Sequence, residues 1–276
     1  MNTEILVNAL GGLALFLLAM QMMTDGLKTF AGDGLRQLLA RWTSTPMRGV
    51  LSGIFVTGIV QSSTAVTVAA IGFVNAGVLT LRQALGVIFG TNVGTTMTGW
   101  LVSLVGFGFK IESFALPILT VGVVTRLVAT GARGRGLGEA LAGFGLFFLG
   151  LAMLKDSFGG VADMYGANVT GGALANNWAV FLAVGFVATL LTQSSSAAIA
   201  IILTAAAGGV VGIEAAAAAV IGANVGTTST AAIAALKATP SARRLALGHV
   251  AFNLITAVVA LALLPLLLRL VSLLGD

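Results

Sequence analysis

The sequence predicts an all-α polytopic membrane protein built from two repeats of inverted topology. Its 276 residues are 58% hydrophobic and only 8% charged, with a mean hydropathy of +1.05, outside the range of soluble domains. Several uncharged runs exceed the roughly 20 residues that a helix needs to cross a bilayer, and no alternating strand pattern appears. Since backbone groups in lipid must be satisfied internally, these runs are expected to be helices.

Internal repetition divides the chain into two halves. Short motifs recur in the same order at an offset of 131 or 132 residues, which chance would rarely produce. The matching pairs are Gly12 with Gly143, Asp25 with Asp156, Gln61 with Gln193, and Asn92 with Asn224. We therefore expect membrane repeat 1 over residues 1–132, a short linker over 133–138 and membrane repeat 2 over 139–276.

The first helices of the two repeats are expected at residues 5–24 and 139–155, each ending at an Asp near the membrane interface. A gating role for Asp25 and Asp156 is the alternative. Residues 34–42 have an amphipathic helical pattern, whereas residues 159–177 are rich in Gly and Asn and are typical of a loop. The last spans of the repeats are expected over 113–130 and 245–268.

Each repeat then carries a polar cluster in the middle of an apolar stretch, QSST from Gln61 and QSSS from Gln193. One continuous helix would place these groups in mid-span. Two half-length helices of about 12 residues, roughly 18 Å each, would instead fold back at the cluster near the membrane midplane. We favour re-entrant hairpins at about 49–79 and 177–210.

The next segments, about 82–107 and 214–236, contain GTNVGTT from Gly90 and GANVGTT from Gly222. Glycines on both sides of an Asn permit the backbone to unwind. We expect a broken transmembrane helix in each repeat, with exposed carbonyls before the break and threonine hydroxyls capping the helix after it.

Charge distribution predicts the orientation. With re-entrant hairpins, 11 of the 14 basic residues fall on one face: Lys28, Arg36, Arg41, Arg48, Arg82, Arg126, Arg133, Arg135, Lys237, Arg243 and Arg244. The other three are Lys110, Lys155 and Arg269. The positive-inside rule places the first face in the cytoplasm and both termini outside. The repeats then enter the membrane from opposite sides.

The polar clusters fit an anion site. Their Ser and Thr residues stand where the second half-helix begins, and a helix N-terminus offers N–H donors and a partial positive charge. No Asp, Glu, Lys, Arg or His occurs in residues 49–81 or 164–213, so an alkali cation such as Na⁺ is a better coupling ion than a proton. Small polar residues also serve helix packing, but the duplication of Gln and Asn favours function.

Other functional classes are disfavoured. The basic residues are scattered, which argues against a nucleic-acid partner, and there are no cysteines. The polar segments contain no acid–base pair, metal cluster or nucleophile with a His partner, so an enzyme is not expected. The lone His249 is expected to serve packing or hydrogen bonding.

At these motifs the sequence resembles the type II sodium/phosphate cotransporter family, whose hallmark is a QSSS motif in each of two inverted repeats, followed by a GAN or GTN segment. The resemblance covers most of residues 11–262. It implies Na⁺-coupled transport of inorganic phosphate by an elevator-like movement, with the polar clusters forming the binding sites and no other cofactor. A homo-oligomer is left open.

Two sets of site residues follow from the resemblance and from the chemistry of the side chains. Phosphate is expected at Gln61, Ser62, Ser63, Thr64, Gln193, Ser194, Ser195 and Ser196. Na⁺ is expected at Gln61, Ser63, Asn92, Thr95, Thr96, Gln193, Ser195, Asn224, Thr227 and Thr228. The expected function is Na⁺:phosphate symport across the cytoplasmic membrane of a prokaryote. An anion channel or a phosphate exporter that uses the same helix ends is the alternative.

Overall fold

The computed structural model describes residues 3–106, 112–170 and 177–275. All regular secondary structure in these ranges is helical, which confirms the all-α prediction. The helices are α1 (Thr3–Ala31), α2 (Asp33–Trp42), α3 (Pro46–Val60), α4 (Ser63–Asn75), α5 (Leu81–Gly106), α6 (Glu112–Val128), α7 (Ala132–Thr170), α8 (Trp178–Thr192), α9 (Ser195–Ala207), α10 (Ile213–Gly226), α11 (Thr228–Ala234) and α12 (Pro240–Gly275).

Four helical stretches of the described chain are long and apolar enough to cross a membrane: Thr3–Ala31, Ala132–Met164, Ile213–Ala234 and Pro240–Leu273. The pairs α3–α4 and α8–α9 are different. Each of their helices has 13 to 15 residues, or about 20 Å at 1.5 Å per residue, too short to cross the roughly 30 Å hydrocarbon core.

The long helices α1 and α7 pack side by side and antiparallel, in contact through glycines. A Cβ added to Gly12 would lie 3.0 Å from the Met153 Cβ, and one added to Gly26 would lie 2.4 Å from the Ala140 nitrogen. Gly12 precedes Gly26 in α1, whereas its contact Met153 follows Ala140, the contact of Gly26, in α7. The two helices therefore run in opposite directions. Such close approach is available only where one helix has no side chain.

The helix pairs α3–α5 and α8–α10 make contacts equivalent to each other, again through glycines. A Cβ on Gly53 of α3 would lie 2.2 Å from the Val87 oxygen of α5. The matching Cβ on Gly185 of α8 would lie 1.8 Å from the Ala219 oxygen of α10. Both residues of the first pair are 132 positions before those of the second, so residues at this offset make equivalent helix contacts.

Three apolar clusters hold the helices together. The first joins α2, α3, α4, α5, α11 and α12 around Val60, Ile88 and Leu245. A second joins α1, α5, α6, α7 and α9 around Phe16 and Phe147, whose rings are 5.2 Å apart. The third joins α8, α9 and α10. Because α9 belongs to two clusters, the helix behind the second polar motif is fixed from both sides.

The expected break in the first of the two Asn segments is wrong, because α5 continues from Leu81 to Gly106 without interruption. Its glycines serve packing instead: a Cβ on Gly90 would lie 2.1 Å from the Val50 oxygen, and one on Gly94 would lie 2.7 Å from the Thr57 Cβ. In the second repeat the helix is interrupted at Thr227, between α10 and α11.

The threonine caps expected in these segments are also wrong. Thr95 and Thr96 donate to the carbonyl oxygens of Thr91 and Val93, and Thr227 donates to that of Asn224. Thr228, likewise, donates to the Val225 oxygen. These hydroxyls bond to the preceding turn, as Ser and Thr commonly do within helices.

Other boundaries differ from the sequence-based expectation. The first helices of both repeats are longer than predicted, and residues 133–138 form the first turns of α7. The loop expected over 159–177 is wrong up to Thr170, where α7 ends. Residues 171–176 of that loop, and Lys110, lie outside the described residues. The amphipathic helix over 34–42 is confirmed as α2.

Candidate functional site

Both polar motifs lie at a sharp break between two helices, as predicted. Gln61 follows α3 with φ of 55°, and Gln193 follows α8 with φ of 53°. The left-handed conformation is uncommon for a residue with a side chain and often marks a functional site. Each Gln side chain donates to a carbonyl of the preceding turn, of Gly58 and Leu190 respectively, which fixes its direction.

The serine after each Gln caps the next helix, confirming the predicted caps. Ser62 Oγ accepts from the Ala65 N–H at 3.2 Å, and Ser194 Oγ accepts from the Ala197 N–H at 3.2 Å. The first N–H groups of a helix have no partner within it. The caps therefore leave the N–H groups of the first two residues of α4 and α9 able to bind a ligand.

The structure brings the two motifs together at one cavity of about 430 Å³, called the shared cavity below. All eight residues expected to bind phosphate line it: Gln61, Ser62, Ser63, Thr64, Gln193, Ser194, Ser195 and Ser196. The two helix N-termini that carry these residues thus contribute partial positive charge to the same space.

Thr98 of α5 joins the motifs directly and was not predicted. Its buried Oγ1 donates to Gln61 Oε1 at 2.8 Å and lies 3.1 Å from Ser196 Oγ. The equivalent residue of repeat 2, Thr230, donates to Gln193 Oε1 at 3.3 Å. The sequence held a signal, because both threonines occur two residues after a GTT triplet at the repeat offset.

The two motifs are not equally exposed. In repeat 1 Gln61 is 5% exposed while its serines are partly exposed. In repeat 2 Gln193 is exposed, whereas Ser195 and Ser196 are buried. The shared cavity is therefore asymmetric although its lining sequences are equivalent.

Helix α1 contributes a further wall, formed by Gln21, Thr24, Asp25 and Lys28. The expectation that Asp25 ends the first helix is wrong, since α1 continues to Ala31. Lys28 Nζ lies 3.1 Å from Asp25 Oδ1. These two are the charged side chains among the described residues that line the shared cavity.

The residues expected to bind Na⁺ are divided between two places. Gln61, Ser63, Gln193 and Ser195 line the shared cavity. A second cavity of about 340 Å³ is lined by Asn92, Thr95, Thr96 and Asn224 together with mostly apolar groups such as Trp100 and Leu203. Thr227 and Thr228 are not among the residues lining either cavity.

Asn92 keeps an oxygen available in the second cavity. Its Nδ2 donates to the Ile88 carbonyl at 3.1 Å, so its Oδ1 is the atom directed away from the helix ladder. His249 lies apart from both linings, 3% exposed on α12, with no hydrogen-bond partner for its ring nitrogens among the described residues.

Comparison with known proteins identifies the family of this chain. The family model described as Na⁺/Pi-cotransporter matches residues 15–156 and 163–272. The protein YqeW of Bacillus subtilis (strain 168) is 31% identical over 261 residues, which is 94% of this chain and 83% of YqeW. No solved structure matches the chain.

Two further relatives carry functional names. YjbB of Escherichia coli (strain K12), named for inorganic phosphate export, is 27% identical over 95% of this chain, which spans 47% of YjbB. Human sodium-dependent phosphate transport protein 2B is 30% identical over 109 residues, 39% of this chain and 16% of that protein. Since the family model matches most of the chain, this chain belongs to the Na⁺/Pi-cotransporter family, a family of transporters and not of enzymes.

Proposed function

We propose that this chain is a secondary active transporter that moves inorganic phosphate together with Na⁺ across the cytoplasmic membrane. The single observation that carries the proposal is the convergence of both polar motifs, with their two capped helix N-termini, on the shared cavity. The family supports phosphate as the substrate.

Phosphate would bind at the two helix ends. The free N–H groups of Ser63 and Thr64, with those of Ser195 and Ser196, offer donors whose dipoles favour an anion. The serine and threonine hydroxyls add donors that can rotate towards phosphate oxygens. Because no charged residue occurs within the motifs, the anion would be held by dipoles and hydrogen bonds, which permits release as well as binding.

Na⁺ would bind to neutral oxygens. Gln61, Ser63, Gln193 and Ser195 can supply them beside the anion, and a bound cation would offset the charge of phosphate. Asn92, Thr95, Thr96 and Asn224 would form a separate Na⁺ site at the second cavity. Thr227 and Thr228 could contribute only backbone or hydroxyl oxygens from the interruption between α10 and α11.

Alternating access would exchange the roles of the two repeats. The antiparallel packing of α1 on α7, and the equivalent glycine contacts of α3–α5 and α8–α10, support an inverted repeat. The shared cavity is lined by α1 and not by the equivalent α7. With the predicted orientation, Lys28 is on the cytoplasmic side and both termini are outside, so this conformation would be open to the cytoplasm. An elevator-like movement of the hairpins would produce the opposite state.

Uptake by reconstituted protein tests the proposal. Liposomes containing the purified chain should accumulate labelled phosphate when an inward Na⁺ gradient is imposed and not when K⁺ replaces Na⁺. Ser63→Ala and Ser195→Ala should each weaken phosphate or Na⁺ dependence while the protein stays folded and inserted. Equal uptake in K⁺ would refute Na⁺ coupling, and normal transport by both variants would refute the site assignment.

A second candidate is phosphate export, favoured by the name of the YjbB relatives. It uses the same site and differs in the direction of net flux. Phosphate-loaded liposomes would then release phosphate without any Na⁺ gradient, whereas the symporter should release it faster only when Na⁺ is also inside. An anion channel would give flux that neither saturates nor concentrates phosphate.

A further inference from the structure

One ion pair stands at an otherwise uncharged binding cavity. Asp25 and Lys28 of α1 face the same space as the two polar motifs, and the remaining polar groups of its lining are neutral Gln, Ser and Thr side chains. Neither residue is needed to form the helix breaks or their caps. Their position at the cavity therefore calls for another explanation.

The ion pair is weakly held. Lys28 Nζ lies 3.1 Å from Asp25 Oδ1, one helical turn away, and the two side chains are 43% and 51% exposed. Exposed pairs of this kind contribute little to stability, because water competes and two flexible side chains must be ordered. An anion entering the cavity can replace the carboxylate as the partner of Lys28 at small cost.

Asp25 and Lys28 also differ in whether repeat 2 has a charged residue at the equivalent position. Asp25 has an acidic equivalent in Asp156, whereas the equivalent of Lys28 is Gly159. The lysine is therefore no requirement of the repeated fold. It adds a positive charge to the α1 side of the shared cavity alone.

We propose that Lys28 is an affinity-determining residue that attracts the anion into the shared cavity, and that Asp25 competes with the anion for Lys28. This inference rests on the proposed function. An ammonium group binds phosphate oxygens as a point charge. When phosphate arrives, Lys28 exchanges the Asp25 carboxylate for a phosphate oxygen. The positive charge of Lys28 is therefore compensated both in the empty cavity and with phosphate bound.

The test measures KM and maximal rate for phosphate uptake into liposomes at saturating Na⁺. Lys28→Gln should raise the phosphate KM about five- to tenfold, the effect of removing one nearby charge in a hydrated cavity, with little change in maximal rate. Lys28→Arg should restore most of the affinity. Asp25→Asn should lower the KM, because the competitor is gone.

Lys237→Gln is the matched control. It removes the same charge from an exposed residue that does not line the cavity and that is expected on the same membrane face, so its KM should equal that of the wild type. An unchanged KM in Lys28→Gln, an equal rise in Lys237→Gln, or a higher KM in Asp25→Asn would overturn the inference. Absence of phosphate uptake by the wild type would instead refute the proposed function.

Discussion

Thr98 offers the sharpest test of the contact between the two motifs. Replacing it with Val keeps the branched shape and removes the hydroxyl that bonds Gln61 Oε1 at 2.8 Å and lies 3.1 Å from Ser196 Oγ. All three residues are at most 5% exposed, so little water reaches the place of the hydroxyl. A buried polar group left without a partner costs about 1–3 kcal/mol.

The repeat provides a matched control in Thr230→Val. Its hydroxyl makes a longer bond, 3.3 Å, to Gln193, which is exposed. Water can form a hydrogen bond with Gln193 after the substitution. We therefore expect the free energy of unfolding to fall by only a few tenths of a kcal/mol, typical of surface positions. The two substitutions have the same chemistry and differ in burial.

Two measurements on the purified variants decide this prediction. The thermal unfolding midpoint in detergent should fall clearly for Thr98→Val and hardly for Thr230→Val. The phosphate KM in liposomes should rise in Thr98→Val because Gln61 keeps its bond to the Gly58 carbonyl but loses the second hydrogen bond that holds its side chain. If the unfolding midpoint falls as far in Thr230→Val as in Thr98→Val, or if Thr98→Val has the midpoint and KM of the wild type, the Thr98 hydroxyl does not join the motifs as described.

Three further substitutions test other parts of the account. Gly90→Ala should destabilise the protein by about 1–3 kcal/mol, because its Cβ would meet the Val50 oxygen at 2.1 Å. Gly72→Ala, with no atom within 4 Å of its Cβ, should be neutral or stabilising in the same thermal assay. Ser62→Ala removes the cap of α4 and should cost about 1 kcal/mol, measured as a lower unfolding midpoint; an unchanged midpoint would contradict the cap. Asn92→Ala should raise the Na⁺ concentration for half-maximal uptake without changing the phosphate KM, and an unchanged Na⁺ dependence would remove Asn92 from the proposed Na⁺ site.

The helix breaks at the polar motifs could be predicted from the sequence. Gln61 and Gln193 stand in the middle of apolar stretches and are each followed by good N-cap residues, so local chemistry and membrane length lead to the same position. The meeting of the two motifs could be predicted as well, because the repeated sequence places an equivalent fold near the membrane midplane in each half of the chain. These features depend on neighbouring residues and on spacing, which a single sequence contains.

The misjudged elements depend on tertiary contacts. The local pattern of Gly90 and Gly94 predicts unwinding, but α3 packs against these glycines so closely that a side chain would not fit. Their spacing of four, shared with Gly86, is that of a helix-packing face. Asp25 after an apolar run predicts a helix end at the membrane interface, because no local pattern shows that α1 continues past Asp25 and turns this face towards the shared cavity.

Thiol labelling tests most directly the claim that both motifs form one phosphate site. The chain has no cysteine, so Ser63→Cys and Ser194→Cys each introduce a single thiol at a partly exposed position of the shared cavity. Ser272→Cys, exposed on α12 and away from the cavity, is the control. We predict that phosphate in Na⁺ slows labelling at Ser63→Cys and Ser194→Cys, that phosphate in K⁺ does so much less, and that Ser272→Cys is unaffected. Protection of only one motif, or of neither, would contradict a shared site.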